Sequence, residues 1–394
     1  MAHGTHEPSL NEANSWPASV DTGTKAKSSL SEVDWAFPDR RSHSDIEGVH
    51  PYPAKFISEI PRALISHLPL PRNSAVLDPF CGSGSTLVES QRLGIPAVGI
   101  DLNPIACLMS RVKTMACPTD LEQHAARITL SSEETTDIEI PEIPNLDHWF
   151  QPNVQVEINR IARAIVAAPS EARDALKLAL SSIIVRVSNQ ESDTRYAAVK
   201  KDVDPSTVPR LFLRAVNRIN AALQKRNYPL TPVEVVESDI LKVEPSVIER
   251  PIGLVVTSPP YPNAYEYWLY HKYRMWWLGY DPLKVKADEI GARAHFFKKN
   301  HHTAEDFARQ MRQTLTLLDG VIVKGGFASF VVGRSKIHGK IYDNAKIITD
   351  EAAPLGFKPF FVTERILSAN RKSFNLSHAN IKTETVLVLR KEVE

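Results

Sequence analysis

The chain has 394 residues, of which 43% are hydrophobic and 24% are charged, with a formal net charge of +1. This composition is ordinary for a soluble globular protein, and the length predicts one large elaborated domain or two domains. No window is apolar enough for a bilayer-spanning helix, which excludes a membrane-embedded chain, whereas the bulk charge neither requires nor excludes a polyanionic partner.

The cysteines and the amino terminus indicate a compartment. The three cysteines, Cys81, Cys107 and Cys117, give neither a paired disulfide framework nor the CxxC spacing of a zinc site. The first residues lack the charged start and apolar core of a secretion signal. We therefore expect a cytoplasmic protein with no metal site.

The amino-terminal half begins with a polar segment and continues with alternating strands and helices. Residues 1–32 have little periodicity and are predicted to form a flexible arm. From residue 33 to 116, helical spacing in YPAKFISEIPRALISHL is followed by the strands AVLD and AVGID, each leading into a helix. This alternation predicts a parallel sheet with right-handed crossovers.

The alternation stops for more than a hundred residues and then resumes. Residues 117–228 have helical spacing around a polar loop and are predicted to be a helical insertion. Strands return in residues 229–394, and the last two, FKPFFVTERIL and TETVLVLRK, are expected to pair antiparallel at one edge. The sum is an α/β fold with about seven mostly parallel strands.

Two glycines and two acids predict a nucleoside cofactor. Gly82 and Gly84 lie between a strand and a helix, where ligands approach backbone N–H groups, and Asp101 follows Asp78 by 23 positions at the end of the next strand. The third glycine of the dinucleotide motif and the GxxxxGK[ST] phosphate loop are both missing. Asp78 is placed to accept from an ammonium, which suits an amino-acid nucleoside such as S-adenosylmethionine.

These motifs together resemble a known family. DPFCGSGSTL, then GIDLNP, then TSPPY after a later strand are similar to the S-adenosylmethionine-dependent DNA amino-methyltransferases, which methylate cytosine N4 or adenine N6. HPYPAKF and the closing ETVLVLRK also resemble segments of that family. The resemblance implies a Rossmann-like class I methyltransferase fold with an antiparallel edge strand.

The resemblance also implies which residues act. The catalytic motif would be Ser258, Pro259, Pro260 and Tyr261. The cofactor would be bound by Lys55 and Phe56 on its methionine side, by Asp101 at the ribose and by Asp239 near the adenine. The full cofactor-binding set is Lys55, Phe56, Asp78, Pro79, Phe80, Gly82, Gly84, Thr86, Asp101, Leu102, Asn103, Asp239 and Ile240.

The chemistry of amine methylation suits the SPPY motif. An exocyclic amine is a poor nucleophile, and acceptors such as the Ser258 hydroxyl and the Pro259 carbonyl would pull it towards a reactive geometry. Flipping a base out of a duplex costs a few kcal/mol, and stacking on an aromatic ring such as Tyr261 returns about 1–3 kcal/mol. Carbon-5 cytosine methylation is excluded, since it needs a cysteine nucleophile and no Pro-Cys occurs; Cys81 is expected to be an apolar filler.

Outside the motifs, three features have structural interpretations. The helical spacing of Tyr265, Trp268, Leu269, Tyr273 and Trp276 favours core packing over a second base platform. His301 and His302 are expected in an exposed basic turn. Residues 284–382 contain about 17 Lys and Arg and about 9 Asp and Glu, so this part is a candidate for contacting phosphates.

Three functions remain open. The favoured one is a sequence-specific DNA cytosine-N4 methyltransferase that flips its target base, acting on double-stranded DNA in restriction–modification, with a cognate endonuclease or specificity subunit as possible partners. The second is adenine or RNA methylation on the same fold, and the third is a non-catalytic module that binds S-adenosylmethionine. Target recognition is expected in residues 117–228, in residues 262–303 or in another subunit.

Overall fold

A computed structural model describes residues 20–38, 45–131, 140–193, 195–262, 265–296, 301–367 and 382–393. The strands are β1 Ala75–Asp78, β2 Ala97–Asp101, β3 Gln190–Ser192, β4 Arg195–Ala198, β5 Val233–Glu237, β6 Ile252–Thr257, β7 Ile322–Ile337, β8 Lys340–Asp343, β9 Phe357–Ile366 and β10 Thr383–Lys391.

Among the described residues, six helices lie between β2 and β5 and four lie between β6 and β7. The helices are α1 Val20–Ser31, α2 Glu59–His67, α3 Ser85–Arg92, α4 Pro104–Thr114, α5 Leu121–Ser131, α6 Leu146–Trp149, α7 Pro152–Val166, α8 Ser170–Val187, α9 Thr207–Gln224, α10 Tyr267–Trp277, α11 Pro282–Asp288, α12 Arg293–Phe296, α13 Ala304–Val321 and α14 Asn344–Ala352. Within the described residues, no helix is long and apolar enough to cross a membrane.

The main sheet has the order β5-β2-β1-β6-β7-β10-β9, with β8 paired to β7. The first five strands of that order run parallel, and β10 is antiparallel to both β7 and β9. The expected antiparallel pairing of the last two strands is confirmed, with β10 inserted beside β7 so that β9 forms the edge. The predicted Rossmann-like fold of a class I methyltransferase, mostly parallel with an antiparallel edge, is confirmed.

Side chains along the central strands alternate between two cores, one on each face of the sheet. Ala75 and Leu77 of β1 pack in one core with α13 and α14, whereas Val76 packs on the other face in a core with α1, α2 and α3. Helices α4, α5 and α7–α10 share a third core. Strands that are buried on both faces are continuous apolar runs, which is how the sequence predicted them.

The amino-terminal prediction is wrong in part. Residues 1–32 are predicted to be a flexible arm, yet α1 occupies Val20–Ser31, and Ala26 and Leu30 of that helix are buried. The physical reason is tertiary: α1 packs on α2 and β9, so weak helical patterning is compensated by burial. Residues 1–19, including His3 and His6, lie outside the described part.

Candidate active site

The candidate site lies where β1, β2 and β6 end in polar residues. Asp78 ends β1, Asp101 ends β2 and Thr257 ends β6. Strand β1 lies between the other two, and the chain passes to β2 on one side and β6 on the other. Such a reversal of strand order opens a crevice at the carboxyl ends, where ligands of α/β sheets bind.

The loop after β1 lies beside this crevice and turns at two glycines. Gly82 and Gly84 have φ values of +50° and +81°, a region that favours glycine. A Cβ on Gly82 would lie 2.9 Å from the Tyr52 hydroxyl oxygen, and one on Gly84 would lie 2.7 Å from the Ser110 Oγ. The loop therefore packs too closely on Tyr52 and on Ser110 of α4 to accept a side chain at either position, and its compact turn lies at the carboxyl end of β1.

Asp101 connects this loop to the next strand. Its Oδ2 accepts from the Gly82 N–H at 2.8 Å, and its Oδ1 accepts from the Asn103 N–H at 2.8 Å. Burial raises the pKa of Asp101 to about 6, although both hydrogen bonds lower it. Asn103 caps α4 through Ile105 N–H, and Leu102 packs against the helical core, so the predicted GIDLNP residues form one rigid turn.

The carboxylate of Asp78 is buried and hydrogen-bonded to residues of its own chain. Its Oδ1 accepts from the Thr257 hydroxyl at 2.6 Å and from the Phe80 N–H at 3.1 Å. Burial raises the pKa of Asp78 to about 6, and hydrogen bonds from the Thr257 and Thr86 hydroxyls and the Phe80 N–H oppose that shift. The Thr86 Oγ1 also lies 3.3 Å from the Val256 carbonyl oxygen. These bonds shape the loop containing Pro79 and Phe80, so Asp78 contributes to the form of the site from beneath it.

The contact between Thr257 and Asp78 leads to a prediction. Thr257→Val keeps the shape but removes a donor to a buried carboxylate, so we expect a loss of about 1.5–3 kcal/mol in the free energy of unfolding. The loss should be full above pH 6 and smaller below it, where Asp78 is protonated. Urea unfolding against pH measures this. Thr314→Val, whose buried hydroxyl bonds only the Gln310 carbonyl among the contacts described for it, is the control, and equal, pH-independent losses would contradict the assignment.

The predicted catalytic motif follows β6 directly. The Ser258 hydroxyl donates to the Val331 carbonyl of β7 at 3.0 Å, Pro259 is buried, and Pro260 is half-buried. The Tyr261 hydroxyl lies 3.3 Å from the same carbonyl and 3.1 Å from Glu384. Because the Ser258 hydroxyl uses its hydrogen in the bond to the Val331 carbonyl, its oxygen lone pairs are available as acceptors.

Tyr261 is held by a chain of contacts that the sequence did not indicate. Glu384 pairs with Arg365 at 2.6 Å, and Arg365 donates to the Trp35 carbonyl at 3.0 Å. Burial, followed by the Glu384 charge, holds the pKa of Tyr261 well above its usual value, so the hydroxyl stays protonated. The phenol ring is thereby fixed at its polar end.

The two possible contributions of Tyr261 can be separated. If ring stacking is its main task, Tyr261→Phe should lower kcat/KM for nucleic acid by less than about 10-fold, the value of one hydrogen bond. Tyr261→Ala should cost roughly 10- to 100-fold more, since stacking contributes about 1–3 kcal/mol. Steady-state kinetics on both variants measures this. Equal losses would assign the role to the hydroxyl.

The HPYPAKF segment lies against the glycine loop through buried charges. Lys55 pairs with Glu47 at 2.5 Å, and Phe56 packs half-buried against the core containing α2. The fully buried Lys113 donates to the Ser83 carbonyl at 2.6 Å, and burial lowers its pKa to about 7 while Glu47 opposes the shift. Lys55 and Phe56 are thus near the loop, and their assignment to the methionine side stays a prediction.

Asp239 lies beside the tip of β2. Glu237 of β5 is in register with Asp101, and the Ser238 N–H donates to the Asp101 carbonyl at 3.0 Å. Asp239 caps the short 3-10 turn Ile240–Lys242 by accepting from Leu241 N–H at 3.0 Å. The structure therefore brings Asp239 and the buried Ile240 to the same edge as Asp101.

The aromatic residues divide into core and site. Trp268, Tyr273 and Trp277 are buried in the helical core, which confirms core packing for α10. Tyr265 precedes the helix and lies outside that core, with its ring centroid 5.8 Å from that of Tyr267. Tyr267 stacks on Tyr52 with ring centroids 5.7 Å apart. The prediction that Tyr265 belongs to the helix is wrong, because α10 begins only at Tyr267, where Glu289 accepts the Tyr267 and Trp268 N–H groups.

Comparison with known proteins agrees with this geometry. A family model described as DNA methylase, of the N6/N4 methyltransferase type, matches residues 7–111. The chain is 26% identical over 240 residues to the Type II methyltransferase M.MvaI of Kocuria varians, covering 55% of this chain and 53% of that protein. The resemblance to the N4/N6 DNA amino-methyltransferases is confirmed.

A second curated protein and a solved structure are also similar to parts of this chain. M.BsoBI of Geobacillus stearothermophilus, also a Type II methyltransferase, is 22% identical over 282 residues, covering 60% of this chain and 53% of that protein. The solved structure of TTHA0409 from Thermus thermophilus with S-adenosyl-L-methionine is 17% identical, with a TM-score of 0.24, covering 39% of this chain and 51% of that chain. The chain spans about half the length of the curated relatives it matches. The amino-methyltransferase match supports S-adenosylmethionine as the cofactor.

Several site residues escaped sequence reasoning because their signal is not local. The TSPPY motif contains Thr257 but does not predict its contact with Asp78, and Glu384, Lys113 and Tyr52 lie far along the chain from the atoms they contact. The register of β1 against β6 brings Thr257 to Asp78, and that of β10 against β7 brings Glu384 to Tyr261.

Proposed function

We propose that this chain transfers a methyl group from S-adenosylmethionine to the exocyclic amino nitrogen of a base in double-stranded DNA, with cytosine N4 as the favoured target. When bound, S-adenosylmethionine supplies an electrophilic methyl carbon. The residues of the chain would contribute cofactor positioning through the loop with Gly82 and Gly84, ribose contacts through Asp101, and acceptors for the target amine through Ser258 and Pro259.

One observation carries the proposal: the Ser258 hydroxyl donates to the Val331 carbonyl. A serine that donates elsewhere offers only lone pairs to a neighbour, and an amine with two hydrogens needs acceptors. The SPPY motif lies at the same end of the sheet as the loop with Gly82 and Gly84, because β6 pairs directly with β1 in parallel. Proximity of amine and methyl donor is the main requirement of an in-line transfer.

The preference for cytosine rests on the serine before Pro-Pro-Tyr. A serine in that position resembles the cytosine-N4 members of the family, whereas an aspartate resembles adenine-N6 members. Adenine or RNA methylation with the same residues is the second candidate, since a hydroxyl acceptor suits either amine.

We also propose a division of labour along the chain. Residues 33–116 and 229–394 would form the catalytic domain, and residues 117–228 would contribute target recognition. The position of α5–α9 between β2 and β5 supports this division, and their core includes α4 and α10 of the catalytic domain, which would connect the two parts. A role in restriction–modification, with a cognate endonuclease or specificity partner, follows from the likeness to Type II methyltransferases.

The test is mass spectrometry of nucleosides after incubation with labelled S-adenosylmethionine. DNA and RNA are offered separately, and we expect labelled N4-methylcytosine from DNA. Labelled N6-methyladenine, or label in RNA alone, would favour the second candidate. Cofactor binding without any labelled nucleoside would favour a non-catalytic module and overturn the proposal.

A further inference from the structure

Strand β7 extends beyond the parallel strands at their carboxyl ends, where the candidate site lies. It pairs with β6 as far as Phe330 and with β10 as far as Gly333, and its last four residues pair with β8 instead. Val331, which accepts the Ser258 hydroxyl, lies three residues before Arg334, a distance of about 10 Å along a strand. The β7–β8 hairpin, residues 334–343, therefore projects from the site edge.

This hairpin is built to keep one conformation. Ile337 pairs with Lys340, leaving His338 and Gly339 as a two-residue turn in which both φ values are positive, +47° and +84°. Positive φ at both positions is the type I′ turn that matches the twist of paired strands. At its base, the Asn344 amide donates to the Gly333 carbonyl and the Ser335 hydroxyl, both at 2.7 Å.

The tip of the hairpin also contacts the segment before α13. The His338 and His301 rings stack with centroids 5.0 Å apart, and a His338 ring nitrogen lies 3.1 Å from the His302 carbonyl. The exposed basic turn predicted for His301 and His302 is thus part of a larger surface, in which His301 is exposed and His302 half-buried.

Three of the exposed side chains of the hairpin are cationic, beside the exposed His338, Ile341 and Asp343. Ser335 and Ile337 are buried, whereas Arg334, Lys336 and Lys340 are exposed. Arg334 pairs with Glu364 at 3.3 Å, but both side chains are more than half exposed, and an ion pair of this kind is weak enough to exchange for a stronger anion. The one acid of the hairpin, Asp343, caps α14 by accepting from the Lys346 N–H.

Other lysines lie at the opposite end of the strands. There Lys358 pairs with Glu392, and Lys391 pairs with Asp319 at 2.8 Å. These positions lie at the end of the sheet away from the candidate site and serve as the reference for the hairpin.

We propose that the β7–β8 hairpin binds the DNA backbone next to the target base, with Lys336 and Lys340 contacting phosphates. The inference rests on the proposed DNA substrate and names the surface that holds it. Ser335 and Ile337 are buried against the protein, whereas Lys336 and Lys340 are exposed, so the solvent side of the ribbon can lie along the phosphates of a duplex. Contacts of this kind position the duplex and carry no sequence information.

The test measures binding of short mixed-sequence duplexes at several salt concentrations. The variant is K336Q/K340Q. The matched control is K324Q/K358Q, which removes the same charge from exposed positions near the starts of β7 and β9, at the opposite end of the strands. Each lost phosphate contact lowers the slope of log Kobs against log salt by roughly 0.9. We expect a slope smaller by about 1.8 for the hairpin variant and an unchanged slope for the control.

The outcomes separate this inference from the proposed function. Cofactor affinity and the thermal unfolding midpoint should stay unchanged in both variants, since all four lysines are exposed. If the wild-type chain binds and methylates DNA but the hairpin variant has the wild-type slope, or if both variants lose equally, the inference is overturned and the proposed function stands. If the wild-type chain neither binds nor methylates duplex DNA, both are overturned.

Discussion

Ser258→Ala is expected to lower kcat for methyl transfer by about 100- to 1000-fold while leaving S-adenosylmethionine affinity unchanged. The magnitude is that of removing one pre-positioned polar group from a reacting centre. The Ser258 hydroxyl donates to the Val331 carbonyl and so offers its lone pairs to an amine, and alanine offers none. Single-turnover methylation and calorimetric titration of the cofactor measure the two quantities.

Ser329→Ala is the matched control for this change. Ser329 lies on β7 in register with Val256, fully buried, and its hydroxyl has no hydrogen-bond partner among the described residues. Removing an unsatisfied buried hydroxyl should leave transfer unchanged and stability equal or higher. An unaltered transfer rate in the Ser258 variant, or an equal loss in the control, would remove Ser258 from the catalytic motif.

Cofactor affinity is expected to fall steeply as the pH drops below 6. Burial raises the pKa of both Asp101 and Asp78 to about 6. In its proposed role at the ribose, Asp101 accepts from the hydroxyls with all its lone pairs only when it is ionised. Below that pH, affinity should fall about tenfold for each pH unit if one ionised carboxylate is required. Titration calorimetry from pH 5 to 8 measures the profile.

The free protein should respond to pH in the opposite direction. Since the folded-state pKa of both carboxyls is raised from 3.8, the folded chain binds more protons, and their contribution to stability is lost as the pH rises through about 6. The cofactor affinity therefore improves over the window in which this part of the unfolding free energy declines. Urea unfolding without cofactor over the same pH range measures the second trend.

Two variants identify the group responsible. Asp101→Asn should weaken cofactor binding by at least about tenfold at pH 7 and flatten the profile, because a carboxamide cannot ionise. Glu237→Gln should keep the affinity at neutral pH and move the midpoint to lower pH, since the Glu237 charge helps to raise the pKa of Asp101. A profile that Asp101→Asn leaves unchanged would assign the titration to another residue.

Much of the sheet was predictable from the sequence because its strands are short apolar runs closed by acids and glycines. Gly82, Gly84 and Asp101 were found since a turn between strand and helix needs those residue types close together in the chain. The position of β10 was not found, because antiparallel pairing with β9 is local whereas insertion beside β7 depends on the whole sheet. The helix α1 was missed because its stability comes from packing on distant elements.

The partners of the site residues were less predictable than the residues themselves. Thr257 reaches Asp78 across 179 positions, and Glu384 reaches Tyr261 across 123. A single sequence carries no signal for contacts of that separation, since either side chain is ordinary in its own segment. The motif predicted Ser258 and Tyr261, and only the register of the strands supplied Val331 and Glu384.

The continuous strand β7 connects the proposed catalytic motif with the proposed phosphate contacts. Val331 faces Ser258 and Tyr261 through its carbonyl, and the proposed phosphate contacts begin a few residues further along the same strand. Side chains of a strand alternate between faces, so a one-residue insertion or deletion between these points would turn every later side chain to the opposite face. The number of residues between Val331 and Lys336 is therefore constrained more strictly than their identity.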